Sequence, residues 1–275
     1  MKPLDGIRIV NLALNLPGPA AAQRLSRMGG TVVKVEPPGG DPMELYHPQW
    51  YRDMAAGHEV VRLDLKLPAD RSSLDELLAR ADLLITATRP AALARLGLDR
   101  IALQRRFPRL CQVTITGFPS PRESEAGHDL TYQASLGLIS PPAMPRTLLA
   151  DMAGAEQTVV ESLALLLARE RGGEAGHGEV ALSEAAEAMA QPLRYGLTAP
   201  GALLGGGIPE YNIYRASDGW IAVAALEPHF KQRLESILKI ATRAEYQALF
   251  AAQSCTHWQE WGEKMDVPIE TVRDK

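Results

Sequence analysis

Residues 6–36 read G-I-R-I-V-N-L-A-L-N-L-P-G-P-A-A-A-Q-R-L-S-R-M-G-G-T-V-V-K-V-E. The run over residues 6–14 is short, apolar and β-branched, as a buried strand requires. Leu16-Pro17-Gly18-Pro19 reads as a turn, and residues 20–28 as a helix. Gly29-Gly30 is placed to stop that helix, since glycine takes the left-handed conformation of a helix end without strain. Thr31–Glu36 is a second strand, closed by P-P-G-G-D. Strand, helix and strand in this order form a βαβ unit with a right-handed crossover.

The alternation continues. Residues 60–65 read as a strand and residues 72–80 as a helix, with Ser72 or Ser73 as its cap. Residues 82–86 and 110–116 read as strands, with a helix over 98–107 between them. The longest helical candidate covers residues 151–171. A short strand at 179–182 and a helix at 183–194 follow. The pattern predicts an α/β fold: a mostly parallel, Rossmann-like sheet with helices on both faces. Ligands of such sheets bind beyond the carboxyl ends of the strands.

Composition changes after Tyr195. Residues 198–207 are rich in Gly, Ala and Pro and read as a linker. A strand at 220–225 and helices over Pro228–Leu238 and 243–252 follow. The expected organisation is a large domain over residues 1–197, a Gly-rich linker over 198–210, and a small α/β domain over 211–275. The last of these holds three of the four tryptophans.

With 275 residues, 46% hydrophobic and 23% charged, the chain has globular proportions. Its net charge of −4 offers no basic excess for a phosphate backbone, so nucleic acid is not an expected partner. Cys111 and Cys255 are the only cysteines, which excludes zinc ribbons and paired-thiol motifs. No metal site is expected. The longest apolar stretch, residues 162–168, is too short to span a bilayer. The N-terminus lacks the apolar core of a signal peptide, so a cytoplasmic location is expected.

Four features could carry chemistry, and each has a plain structural alternative. His128, in Gly127-His128-Asp129, follows a polar loop; a histidine there exchanges protons near neutral pH, or is simply a surface residue. Asp151 lies between Leu148-Leu149-Ala150 and an apolar helix. It is either a helix cap or a carboxyl whose apolar neighbours raise its pKa. Gly205-Gly206-Gly207 either lets backbone approach a ligand or is a flexible linker. Glu227, before Pro228, starts a helix or serves a site. These residues alone leave an α/β enzyme of unspecified reaction.

Several blocks, in order, resemble the family III CoA transferases (CaiB/BaiF), a family that includes α-methylacyl-CoA racemases. They are P-L-D-G-I-R-I-V at 3–10, G-G-T-V-V-K-V-E-P-P-G-G-D at 29–41, L-D-L-K at 63–66 and R-P-A-A-L-A-R-L-G-L at 89–98. G-H-D-L-T-Y-Q-A at 127–134, L-L-A-D-M-A-G at 148–154, G-H-G-E-V-A-L-S at 176–183 and Y-R-A-S-D-G-W-I-A-V-A-A-L-E-P-H-F at 214–230 continue the series. The resemblance implies that Asp151 is a nucleophile in the transferases, where it forms an acyl anhydride with the thioester's acyl group. In the racemases it implies that His128 and Asp151 exchange the α-proton on opposite faces, with Glu227 near the same pocket supporting the histidine. The combination of G-H-D with A-L-E-P-H-F favours racemase.

By the same resemblance, Arg62, Leu63, Lys66, Arg89 and Arg95 are candidate coenzyme A contacts and Gly205, Gly206 and Gly207 form a substrate loop. The ligand is a coenzyme A thioester acting as substrate, with no tightly bound cofactor. Glu59 stands where the family usually carries a cation, and there it would repel a phosphate. Pro37 stands where an arginine is often found. The chain stops near residues 267–269, where the family continues back into the first domain, so a C-terminally shortened fold is expected. The lost cation pair and absent return segment also leave room for a non-catalytic relative. Family members are interlocked ring dimers, and a homodimer, possibly of altered form, is expected here. The tryptophans Trp220, Trp258 and Trp261 are expected to need a partner surface.

Overall fold

The computed structural model describes residues 1–273. Its first strands are β1 (Arg8–Asn11), β2 (Thr31–Glu36) and β3 (Glu59–Arg62), joined by helices α1 (Pro17–Arg27), α2 (Pro42–Tyr46) and α3 (Pro48–Ala55). Helix α4 (Pro68–Leu78) leads to β4 (Leu83–Thr86), and α5 (Pro90–Arg95) and α6 (Arg100–Arg106) lead to β5 (Cys111–Thr116). Then come α7 (Asp129–Ser135), α8 (Leu149–Glu170), β6 (His177–Ala181) and α9 (Leu182–Arg194).

All six strands pair in parallel, in the order β3-β2-β1-β4-β5-β6. This is the doubly wound arrangement whose strand order reverses between β1 and β4. Successive residues point to opposite faces. Ile9, Val32, Leu83, Ile85 and Val113 pack with Leu25 of α1 and Val159 and Leu166 of α8. Val10, Val35 and Leu84 pack with Leu74, Leu78, Leu93 and Leu103 of α4, α5 and α6. A sheet covered on both faces explains why its strands read as apolar runs.

Two local expectations change. Helix α1 begins at Pro17, so Pro17-Gly18-Pro19 is its first turn. Proline suits that turn because its missing N–H would be unpaired there anyway. Gly18 is required: a Cβ would lie 2.2 Å from that of Ala13. Helix α4 likewise begins at Pro68, ahead of both serines. Ser72 and Ser73 donate to the carbonyls of Pro68 and Ala69, at 3.1 and 3.3 Å, instead of capping.

The chain divides into two compact units, the first Met1–Ala190 and the second from Gln191. The second holds a three-stranded antiparallel sheet in the order β7 (Tyr211–Arg215), β8 (Trp220–Ala224) and β9 (Ile269–Thr271). Helices α10 (Pro228–Leu238), α11 (Arg243–Ala251) and α12 (Cys255–Met265) pack on one face of it. Their core is Tyr214, Ile221, Val223, Leu234, Tyr246, Phe250, Trp258 and Ile269.

Two of the three tryptophans expected to seek a partner surface are held within this core. Trp258 is buried and donates to the Phe250 carbonyl at 2.9 Å, and Trp261 packs against it. Trp220 is exposed, with the Arg215 guanidinium over its ring. Within the segment expected as a linker, the chain turns back at residues 203–207, with Gly205 and Gly207 both donating to the Ala202 carbonyl.

Candidate active site

The loops after β1, β4 and β5 and the start of α9 surround a cavity of about 520 Å³. It opens at the carboxyl edge of the sheet, on the β1–β4 switch where this architecture places ligands. His128, Asp151 and Arg89 line it, with Tyr46, Glu123 and Tyr132. A second cavity of about 280 Å³ shares Leu14 and Thr88 with the first and extends over β2 and β3. Leu63 and Lys66 line it, with Glu36, Pro37 and Pro38. Five of the first unit's candidates, His128, Asp151, Arg89, Leu63 and Lys66, therefore gather on one edge, in two adjoining cavities.

Asp151 is the third residue of α8, and that helix has no side-chain cap. The capping alternative is thus excluded. Its main-chain N–H donates to Asp129 Oδ2 at 3.1 Å. Asp129 is itself buried and accepts from the Gln133 amide, which also donates to the Thr147 carbonyl at 3.1 Å. Burial foremost, and then the charge of Asp129, raise the Asp151 carboxyl to a pKa of about 6, against a smaller opposing pull from His128. A carboxyl so placed holds and releases its proton close to neutrality.

His128 precedes α7 in extended backbone, with its ring exposed on the cavity wall. Its N–H donates to Thr131 Oγ1 at 3.1 Å, and that hydroxyl donates back to the His128 carbonyl at 2.8 Å. Gly127 lets this turn close over Tyr132, since a Cβ there would lie 2.6 Å from the ring. Tyr132 was not singled out from the sequence, although it stands in the same G-H-D-L-T-Y block, one helical turn beyond Asp129. Its hydroxyl is buried with no hydrogen-bond partner. Burial, followed by the charges of Asp151 and Asp129, raises its pKa.

Other candidates are placed differently. Arg62 is half exposed and faces two carboxylates, Glu36 at 3.7 Å and Glu44 at 3.2 Å. Arg95 is exposed on α5 and lines neither cavity. Glu59 opens β3 at the end away from the cavities and lines a separate groove with Arg8 and Arg80. Glu59 therefore lies apart from both cavities. Its neighbour His58 is turned inward; burial and the Lys34 charge lower its pKa to about 4.

Glu227 and the glycines Gly205, Gly206 and Gly207 belong to the second unit, and the large cavity is lined without them. Glu227 is exposed ahead of α10, with Pro228 at its first position. Gly206 has a positive φ of 85° and its carbonyl accepts from Asn212 and Arg243. A Cβ on Gly205 would lie 1.8 Å from the Ala199 carbonyl. Among the described residues, no group of three or more His, Cys, Asp or Glu side chains is arranged to hold a metal. No helix among them is long and apolar enough to cross a membrane.

Comparison with known proteins places this architecture. Residues 4–274 match CoA-transferase family III, and the chain belongs to that family. It is 32% identical over 253 residues to the α-methylacyl-CoA racemase of Homo sapiens, covering 84% of this chain and 63% of that protein. It is 30% identical over 272 residues to a succinate–glutarate CoA-transferase of Agrobacterium fabrum, covering 88% and 68%. The crystal structure of Rv3272 from M. tuberculosis superposes with a TM-score of 0.83 at 26% identity, over 100% of this chain and 83% of that one. The chain thus spans less than two thirds of the human racemase. These relatives are named as enzymes, and their names include both racemases and transferases.

Proposed function

We propose that this protein acts on acyl-CoA thioesters as a racemase or epimerase of the 2-methylacyl type. The observation that carries the reading is the pairing of His128 and Asp151 on one cavity, with Asp151 protonating near neutral pH. In one direction the His128 imidazole takes the α-proton. The C–H electron pair moves into the thioester carbonyl to give the enolate, and protonated Asp151 returns a proton to the opposite face. The reverse reaction exchanges the two roles. General acid–base catalysis needs each group to reach both protonation states at the working pH, which the elevated Asp151 carboxyl does. The partnerless Tyr132 hydroxyl is a hydrogen-bond donor on the same wall.

In this reading coenzyme A lies along the carboxyl edge, with Leu63 and Lys66 in the smaller cavity and Arg89 between it and the reacting pair. Arg62 becomes a contact only if phosphate displaces Glu44. Glu227 and the Gly205–Gly207 loop keep the roles that the family resemblance gives them, a supporting carboxylate and a substrate loop. The protein works as a cytoplasmic homodimer without a tightly bound cofactor. Racemisation of a single enantiomer of a 2-methylacyl-CoA tests the reading, and His128→Ala abolishes it.

The second reading is CoA transfer, favoured by the transferase relative covering 68% of its own length. There the Asp151 carboxylate attacks the thioester carbonyl and expels CoA thiolate, leaving an aspartyl anhydride; the acceptor carboxylate displaces the first carboxylate from the Asp151 carbonyl, and the thiolate then attacks the acceptor's acyl carbon, which forms the new thioester and frees the Asp151 carboxylate. Hydroxylamine trapping at Asp151 identifies this course, and His128→Ala then leaves most of the activity.

A further inference from the structure

Asp41 lies five residues past the end of β2 and is 2% exposed. Its Oδ1 accepts two main-chain N–H groups, from Asn15 at 3.0 Å and from Met43 at 2.9 Å. Its Oδ2 faces the ammonium of Lys34, itself 1% exposed, which also donates to Glu36 Oε1 at 2.7 Å. The Tyr51 hydroxyl donates to the same Glu36 oxygen at 2.8 Å. Asn15 belongs to the loop after β1, and Met43 to α2. Asn15 holds a left-handed conformation, with φ of 63°, which asparagine tolerates but does not prefer. Asn15, Leu16 and Pro17 form one wall of the large cavity, and Met43 and Tyr46 another. Glu36, at the other end of the charged cluster, lines the smaller cavity.

One buried carboxylate therefore ties two cavity walls that are remote in sequence. A buried ion cluster is a weak source of stability, and apolar side chains would serve that purpose as well. Two N–H groups held on one oxygen atom instead fix direction and distance. We propose that Asp41 is a positioning residue, which holds the 14–17 loop and α2 so that the acyl end of a thioester meets His128 and Asp151. The proposal rests on reading this cavity as the acyl site.

The test compares Asp41→Asn with Asp41→Ala. Asparagine keeps Oδ1 as an acceptor for both N–H groups while removing the charge; alanine removes both. Four quantities are read: α-hydrogen exchange of a 2-methylacyl-CoA, calorimetric affinity for free CoA, affinity for a non-reactive acyl-CoA thioether, and deuterium uptake at the Asn15 and Met43 amides. Misplacement of a wall by about an ångström costs on the order of a hundredfold in turnover. Asp41→Ala is expected to lose that much, to bind free CoA within about threefold of wild type, and to bind the thioether no better than CoA. Both amides exchange faster in it, and Asp41→Asn retains most of the activity.

Equal impairment of the two variants would assign Asp41 to charge neutralisation of Lys34 and overturn the proposal. So would an Asp41→Ala protein with unchanged amide protection and thioether preference. Should Asp41→Ala not fold, Asp41→Ser replaces it: a serine cap still serves Met43 but is too short for Asn15, so only the 12–17 segment exchanges faster. If wild type exchanges no α-hydrogen, the racemase reading fails, while amide protection and the thioether-to-CoA ratio still decide the role of Asp41.

Discussion

The main-chain N–H of Asp151 donates to Oδ2 of Asp129 at 3.1 Å, so one carboxylate residue anchors the next. The contact fixes the start of α8 against α7, and it also brings a negative charge beside the Asp151 carboxyl. That charge ranks second to burial in raising the Asp151 pKa. Asp129→Asn keeps an acceptor for the N–H and removes the charge. In the direction in which Asp151 is the base, the acid limb of the pH–rate profile is expected to move to lower pH, while staying above that of an exposed carboxylate because burial persists. A limb that does not move would assign the shift to burial alone.

Asp151 carries a cost in stability whose sign follows from its proton. Its pKa is about 6 in the folded protein against 3.8 for the exposed group. Between those values the folded state holds a proton that the unfolded state has released, so stability falls as pH rises through this window. Asp151→Asn is therefore expected to be more stable than wild type at about pH 8, by at most about 3 kcal/mol before solvent screening. The difference vanishes at about pH 4 and below. Urea unfolding of both proteins at the two pH values checks the sign.

His58 works in the opposite sense. Its folded pKa is about 4 against 6.5 for the exposed ring, because burial and Lys34 disfavour the imidazolium. The unfolded chain binds the proton first, so stability is lost as pH falls through that window. His58→Gln is expected to lessen the acid destabilisation, narrowing or reversing its deficit against wild type as the pH is lowered. A constant difference between the two proteins across the window would show that His58 does not titrate in this way.

Much of the fold was legible because the sheet is buried on both faces. Runs such as Val32-Val33 and Leu83-Leu84-Ile85 leave no other reading, and the glycine stops marked helix ends. Helix starts were less legible. Pro17 reads as a turn residue in isolation, and Pro68 lies ahead of the helix expected over residues 72–80, yet each occupies a helical first turn because the missing N–H costs nothing there. Helices α2 and α3 are too short for a periodic signal to emerge.

His128 and Asp151 stood out by residue type and by their blocks. Asp41, Asp129 and Tyr132 did not, because their part in the site comes from tertiary contacts: a carboxylate on two distant N–H groups, a buried acid under the helix start, and a hydroxyl on the cavity wall. Glu59 misled for the converse reason. Its place in the sequence is beside Arg62, but four residues of strand carry it from the carboxyl edge to the other end of β3.

The most direct measurement is α-hydrogen exchange on an enantiopure 2-methylacyl-CoA incubated with the protein in D₂O and followed by mass spectrometry and chiral separation. The account predicts that one deuterium enters at the α-carbon, that both enantiomers accumulate, and that neither His128→Ala nor Asp151→Asn forms the opposite enantiomer. Tight binding of the thioester with no deuterium in either enantiomer would contradict it.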